Sequence, residues 1–477
     1  MTANIVERTA VRSLAVLFVV LPLLSAAGPS FMSPAAGTGT TWAKVFGGYE
    51  NATGIDVLPT ADGGYLVLGE IRPKPVNGTI DINIWLLKLS ATGAIEWQYI
   101  YGGPGRERPY HVRQTSDGGY VVVAMTTSFG AVGVDAWVLK LDALGGIQWQ
   151  KAYGPAAYDI QQTSDGGYIM VGQTTYFPGY DYFSSVDAWV VKLDSVGNVV
   201  WEKAYGTTSP SSSQHECANS VQQTSDGGYI VAGTMSLWQP GGWVPSTWLF
   251  KIDSVGTLSW QKTYGAGSGG RLCAEVMSMN PDVLVTADGG YFVDPVYFYG
   301  PEATDGYAMK VDSTGKVLWR KAYGSAASEY FKSAEAMPDG GFVLAGDGFG
   351  GPWVVRLDSA GNLVWQKRYG MSGTHPAYGM AARAVSDGGI ILTGYWAGLM
   401  YPYEPAPGLI VMKLDGDGNP GVCTDPTIGV NTDAVQRNSS VKASASKAKV
   451  ATPTTTAMDT AATPLPSNAQ ESQLCTG

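Results

Sequence analysis

The sequence predicts an all-β fold: a seven-bladed β-propeller of four-stranded blades, its ring closed by an N-terminal strand pairing into the last blade. Three observations carry this. Among 477 residues, aromatics make up 11% with 15 Trp and 26 Tyr, Gly reaches 63, and charged residues are only 15%. That composition suits short strands and many tight turns. An Asp-Gly-Gly phrase recurs at Asp62, Asp117, Asp165, Asp226, Asp288, Asp339 and Asp387. A Trp-x-Lys-x-Tyr-Gly phrase recurs with it, as at Trp149, Trp260, Trp319 and Trp365.

The unit is clearest in the fourth blade. SVQQT (220–224) is strand A, SDGG a turn, and YIVAGTM (229–235) strand B. After a variable loop, TWLFKID (247–253) is strand C, SVG a turn, and TLSWQKTYG (257–265) strand D. Each stretch is β-branched or aromatic and bounded by Gly or Asp. Four such strands in roughly fifty residues, repeated, is the arithmetic of a propeller blade. There are seven A–B hairpins and seven C strands, but the D strands are offset. TWAKVFGG at Thr41–Gly48 precedes any A strand, and Pro420 stands where the last D strand would start. A proline there disfavours a ladder strand. The N-terminal strand is therefore expected to complete the last blade and remove open sheet edges.

The domain reading is a signal peptide over 1–27, a linker over 28–40, the propeller over 41–420 and a low-complexity tail over 421–477. Arg8 and Arg12 precede an apolar run at 14–27, too short for a comfortable membrane span, with Ser25 and Ala27 before Gly28 as a small-x-small cleavage site. The expected location is extracellular or at the cell surface, with no membrane span in the mature chain. The tail is rich in Ser, Thr, Ala and Pro, cannot build a core, and reads as a linker, stalk or disordered spacer. The net charge of −10 argues against nucleic acid as a partner.

The repeat resembles the DGGY…KLD-x-x-GN-x-x-W pattern of many secreted bacterial and archaeal propeller proteins, over residues 41–419. That resemblance implies a fold and says almost nothing of function. The D-x-x-G-x-x-x-W element, as in Asp194–Trp201, also looks like the tryptophan-docking motif of quinoprotein propellers, with a turn one residue shorter. Those enzymes usually carry a vicinal cysteine pair over their cofactor. No Cys-Cys occurs here, so no cofactor is expected.

Residues present in every blade are read as structural. The DGG aspartates are expected in two-residue hairpin turns whose central residues both need positive φ. The Trp of strand D is expected in the core. The basic residue of strand C (Lys140, Lys192, Lys251, Lys310, Arg356, Lys413) is expected to pair with acids or carbonyls between blades. Function is then expected where copies disagree, on the face of the B–C loops and D–A connections. The candidate binding residues there are Tyr182, Trp238, Trp243, Tyr299, Trp396 and Tyr403. Loops with aromatic side chains on a rigid scaffold suit recognition.

His111, His215 and His375 are expected on that same side. No metal site is expected, and no catalytic motif of known spacing occurs. Two disulfides are expected, Cys217 with Cys273 and Cys423 with Cys475. The leading functional expectation is a binding module, not an enzyme, for a carbohydrate or a cell-surface protein. The alternatives are an extracellular glycan-active lyase or hydrolase with carboxylates at the channel mouth, and a purely structural cell-surface component.

Overall fold

The computed structural model describes residues 40–47, 52–72, 82–130, 133–154, 156–174, 186–206, 214–239, 242–264, 282–294, 305–324, 329–348, 351–369, 377–396 and 408–423, and strands of the tail between 428 and 476. Residues 1–39, and with them the expected signal peptide, lie outside this set. The described residues contain no helix and form seven four-stranded antiparallel blades.

Blade 4 shows the plan. Its strands are A (Gln214–Gln223), B (Tyr229–Gln239), C (Gly242–Ile252) and D (Leu258–Tyr264), each antiparallel to the next. Strands B and C run farther than the sequence suggests, with Gln239 opposite Gly242 at the tip. The ring closes as expected: strand Trp42–Gly47 lies antiparallel to Gly408–Leu414, with Trp42 opposite Lys413 and Phe46 opposite Leu409.

The repeated turn differs from the expected two-residue type. Gly227 N–H returns to the Thr224 carbonyl and Thr224 N–H reaches the Gly228 carbonyl, both at 2.9 Å. This is a type I turn followed by one left-handed residue. Only the first glycine has a positive φ, 81° at Gly227. The second is small for a different reason: a Cβ on Gly228 would collide with the Ile252 carbonyl oxygen. Asp226 caps the turn, accepting from the Gly228 N–H at 3.0 Å and the Thr224 hydroxyl at 2.5 Å.

The strand-C cation pairs within its own blade, not between blades. Lys251 meets Asp226 at 2.9 Å, and Lys88–Asp62, Lys140–Asp117, Lys192–Asp165 and Lys413–Asp387 repeat the pair at 2.8–2.9 Å. Arg356 and Asp339 do the same in blade 6. The lysine lies under the hairpin turn, so its charge is met where its stem is buried.

The tryptophans divide by strand. Those of strand C (Trp85, Trp137, Trp189, Trp248, Trp353) are fully buried between blades. Three donate Nε1 to a diagonal neighbour on strand D, two residues from the one directly opposite: Trp85 to Gln98, Trp189 to Glu202 and Trp353 to Gln366. Those of strand D, expected in the core, are mostly half-buried. They cap the C–D turn of the next blade: Trp201 Nε1 donates to the Ser254 carbonyl at 3.2 Å and Trp365 Nε1 to Gly416 at 3.0 Å.

The strand-D tyrosine joins the blades. Tyr101, Tyr153, Tyr205, Tyr264, Tyr323 and Tyr369 each donate to the turn-glycine carbonyl of the next blade, at 2.6–2.8 Å. Burial pushes the Tyr205 hydroxyl well above its ordinary pKa, so it stays a donor.

The tail differs most from expectation. Seven of its stretches pair antiparallel along the outer edge of strand D, one per blade. Ile428–Asn431 joins blade 6, Val435–Asn438 blade 5, Ala443–Ala445 blade 4, Lys449–Ala451 blade 3, Met458–Asp459 blade 2, Leu465–Pro466 blade 1 and Gln470–Thr476 blade 7. The chain runs round the ring in reverse blade order. Its composition cannot form a core, but pairing with an open edge needs only backbone groups.

Candidate functional site

The innermost strands build a polar channel. In strand A of six blades the register shifts by one residue, at Gly54/Asp56, Pro109/His111, Ala157/Asp159, Ala218/Ser220, Phe331/Ser333 and Gly379/Ala381. Such a bulge re-aims the side chain that follows it. In four of these blades, at Asp56, Asp159, Ser220 and Ser333, that side chain reaches the next blade and accepts a backbone N–H, and Asp282, just before the unshifted strand A of blade 5, does the same. Asp159 accepts from Val221 at 3.0 Å, Ser220 from Val283 at 3.3 Å, Asp282 from Ala334 at 3.1 Å and Ser333 from Ala382 at 3.0 Å. Strand A is the inner edge of every sheet, and these bonds satisfy N–H groups that no strand covers.

Ala381 offers no acceptor, and a charged pair joins blade 7 to blade 1 instead. Arg383 Nη2 meets Asp56 Oδ1 at 2.8 Å, both buried. Asp56 also faces His111 Nδ1 at 3.2 Å and Arg113 Nη1 at 3.4 Å, and Arg113 reaches Asp159 at 3.2 Å. Burial pushes the Asp56 carboxyl up, but Arg383, His111 and Arg113 outweigh it and hold it well below the usual carboxylate range. Glu335, the more exposed channel carboxyl, lies 3.7 Å from Arg383 Nε and is raised by burial. Asp282 and Asp294 are both buried, and the Asp282 N–H donates to Asp294. Burial and the Asp282 charge push the Asp294 carboxyl well above its ordinary value, favouring its protonated form.

The expected histidine arrangement is corrected in part. His111 lies on strand A against Asp56, and His215 is buried in strand A of blade 4, where burial lowers its pKa. His375 lies outside the described residues. Among the described residues no group of three or more His, Cys, Asp or Glu is placed to hold a metal ion. Sequence reasoning missed Asp56, Arg113, Asp159, Asp282 and Arg383. Their signal was the residue six or four positions before each DGG aspartate, which is polar in most copies.

Of the aromatic candidates, Tyr182, Tyr299 and Tyr403 lie outside the described residues. Trp238 and Trp243 are opposite each other near the tip of the long blade-4 hairpin, and Trp396 ends strand B of blade 7 opposite Ala377 and Gly408. Cys217 is buried in strand A of blade 4; Cys273 lies outside the described residues. Cys423 and Cys475 stand opposite each other in an antiparallel pair. On the turn face, a cleft of about 610 Å³ opens beside Gln161, Gln162, Ser164 and Gln223. The carboxamide oxygens of all three glutamines are already bound to backbone N–H groups of adjacent blades.

Fold and channel together define a seven-bladed β-propeller. No family model and no curated protein matches the chain. Among solved structures it is similar to a puromycin hydrolase S511A mutant complexed with PGG, at 15% identity and a TM-score of 0.39, over 84% of this chain and 56% of that one. The chain thus spans little more than half the length of that hydrolase.

Proposed function

We propose that this protein is a secreted or cell-surface binding module that holds a carbohydrate or a surface protein through its B–C/D–A loop face. The observation that carries the reading is the blade-4 hairpin. Its strands B and C are 11 residues each, against six or seven in most other blades, and the ladder sets Trp238 directly opposite Trp243. Directly opposed residues on a ladder are close enough to act as one aromatic platform. Sugar C–H faces and protein side chains both stack on such surfaces.

The competing glycan-active enzyme has less support. Its carboxylates would come from the channel, and Asp56 and Asp159 are already engaged by backbone N–H groups and by arginine. A purely structural component would need neither the long hairpin nor its tryptophans. Export fits two disulfides, Cys217–Cys273 and Cys423–Cys475; alkylation without reduction should then label no thiol, and four labelled thiols would refute both pairs.

A glycan array probed with the exported chain tests the sugar version. Binding to a defined glycan without product release is the expected result. Release of shortened glycan from a bound polysaccharide would favour the enzyme, and an empty array would count against carbohydrate.

A further inference from the structure

We propose that the tail is a latched belt: the Cys423–Cys475 bond closes it round the propeller and locks the N-terminal strand into the ring. This rests on the cysteine pairing proposed above and not on what the loop face binds.

In blade 7 the strand-D position is joined to strand C without a hairpin. Strand Trp42–Gly47 arrives from the other end of the propeller sequence and is held to Gly408–Leu414 by ladder pairing and core packing, with no covalent turn between them. On its other edge lies Gln470–Thr476, and beyond that Val422–Cys423, giving the order Gly408–Leu414, Trp42–Gly47, Gln470–Thr476, Val422–Cys423. The short segment 415–421 connects the first of these strands to the last, so the chain passes across the end of the N-terminal strand. Val422 faces Thr476 and Cys423 faces Cys475. Opposed residues of an antiparallel pair have Cα atoms about 4.5–5.5 Å apart, inside the range a disulfide spans. A bond there encloses the N-terminal strand between two segments that can no longer separate.

The rest of the belt needs the same bond. Between its ends it touches each blade through two to four residues, only two at Met458–Asp459 and two at Leu465–Pro466. Such short pairings hold weakly one at a time. They hold together when both ends are fixed, because each then re-forms at a high effective concentration. About seven residues separate one contact from the next. At roughly 3.3–3.6 Å per extended residue that step covers about 25 Å, enough for a few paired residues and a crossing to the next blade. Closure takes two electrons and two protons from the Cys423 and Cys475 thiols. They pass to an oxidant of the disulfide class, which leaves as a dithiol.

Two readouts on the full exported chain separate the bond from the latch. Trypsin nicking at Arg437, Lys442, Lys447 or Lys449 should leave one band on a denaturing gel without reductant and release the C-terminal fragment with it. Release without reductant overturns the bond. Amide exchange at residues 43–47 should be at least tenfold faster in Cys475→Ser than in the native chain, while residues 229–235 stay unchanged. Equal rates at 43–47 in Cys475→Ser and in a native chain that the gel shows to be bonded overturn the latch.

Discussion

Lys44 Nζ donates to the Gly93 carbonyl at 3.0 Å, in the blade joint where strand D carries Phe46 instead of tyrosine. At the other six joints a tyrosine hydroxyl makes the equivalent bond to the turn glycine. The lysine two residues earlier on the N-terminal strand takes over the missing donor. Lys44→Ala should therefore cost about 1.5–3 kcal/mol, the range for a hydrogen bond to a charged donor. Adding Phe46→Tyr should recover part of the loss, and Tyr205→Phe at an ordinary joint should cost about 1 kcal/mol. Denaturant unfolding of the four chains checks this; Lys44→Ala without effect would remove the lysine from the joint.

Arg383 and Asp56 are 327 residues apart in sequence and 2.8 Å apart in the channel. Removing one partner of a buried pair leaves an uncompensated charge, so Arg383→Ala should cost about 3–5 kcal/mol. Arg383→Met with Asp56→Asn should cost less than the sum of the two single changes. A double-mutant cycle on unfolding free energies measures the coupling, and simple additivity would contradict the pairing.

Acid and alkali should act on different carboxyls. In Asp62, Asp117, Asp165 and Asp226, burial pushes up, but the neighbouring lysine, threonine and glycine N–H hold the carboxyl at about 2. Their folded pKa lies below the unfolded one, so their contribution is present above about pH 4 and is lost as pH falls toward about 2. Each is half exposed, so each loss is small. Asp294 has the opposite sign. Its folded pKa is raised, so its contribution is present at low pH and lost as pH rises through the folded value. The melting temperature should therefore peak on the acid side of neutrality, and Asp294→Asn should flatten the neutral limb while leaving the acid limb. Melts from pH 2 to 8 decide it; an unchanged neutral limb would place the slope elsewhere.

The two turn glycines should fail differently. Gly227 has open space around it and a φ of 81°. Gly227→Ala should cost about 1–2 kcal/mol, and Gly227→Asn less, because Asn tolerates the left-handed region. Gly228→Ala meets the Ile252 carbonyl and should cost about 3 kcal/mol, the upper range for overpacking. Equal costs at both positions would refute the division of roles.

The blade count, the hairpins and the borrowed N-terminal strand were legible because each blade repeats its turn and its strand-D phrase. Strand C's lysine was legible as structural, but its partner was not: Asp226 and Lys251 meet only once the hairpin turn folds over strand B. The channel was harder to read. A one-residue bulge before Asp56 and Asp159 decides which side chains face inward, and only the recurrence of a polar residue six positions before the DGG aspartate hints at it. The belt was hidden because strands of two to four residues, rich in Ser, Thr and Ala, carry no alternation to detect. They pair through backbone groups, to which sequence is nearly blind.

Repeated residues hold the ring, and the proposed binding falls to the loop face. The decisive comparison is binding of the full chain and of its Trp238→Ala/Trp243→Ala double variant to a glycan selected on the array. The double variant should lose at least tenfold in affinity with an unchanged melting temperature. Full affinity in the double variant would contradict it.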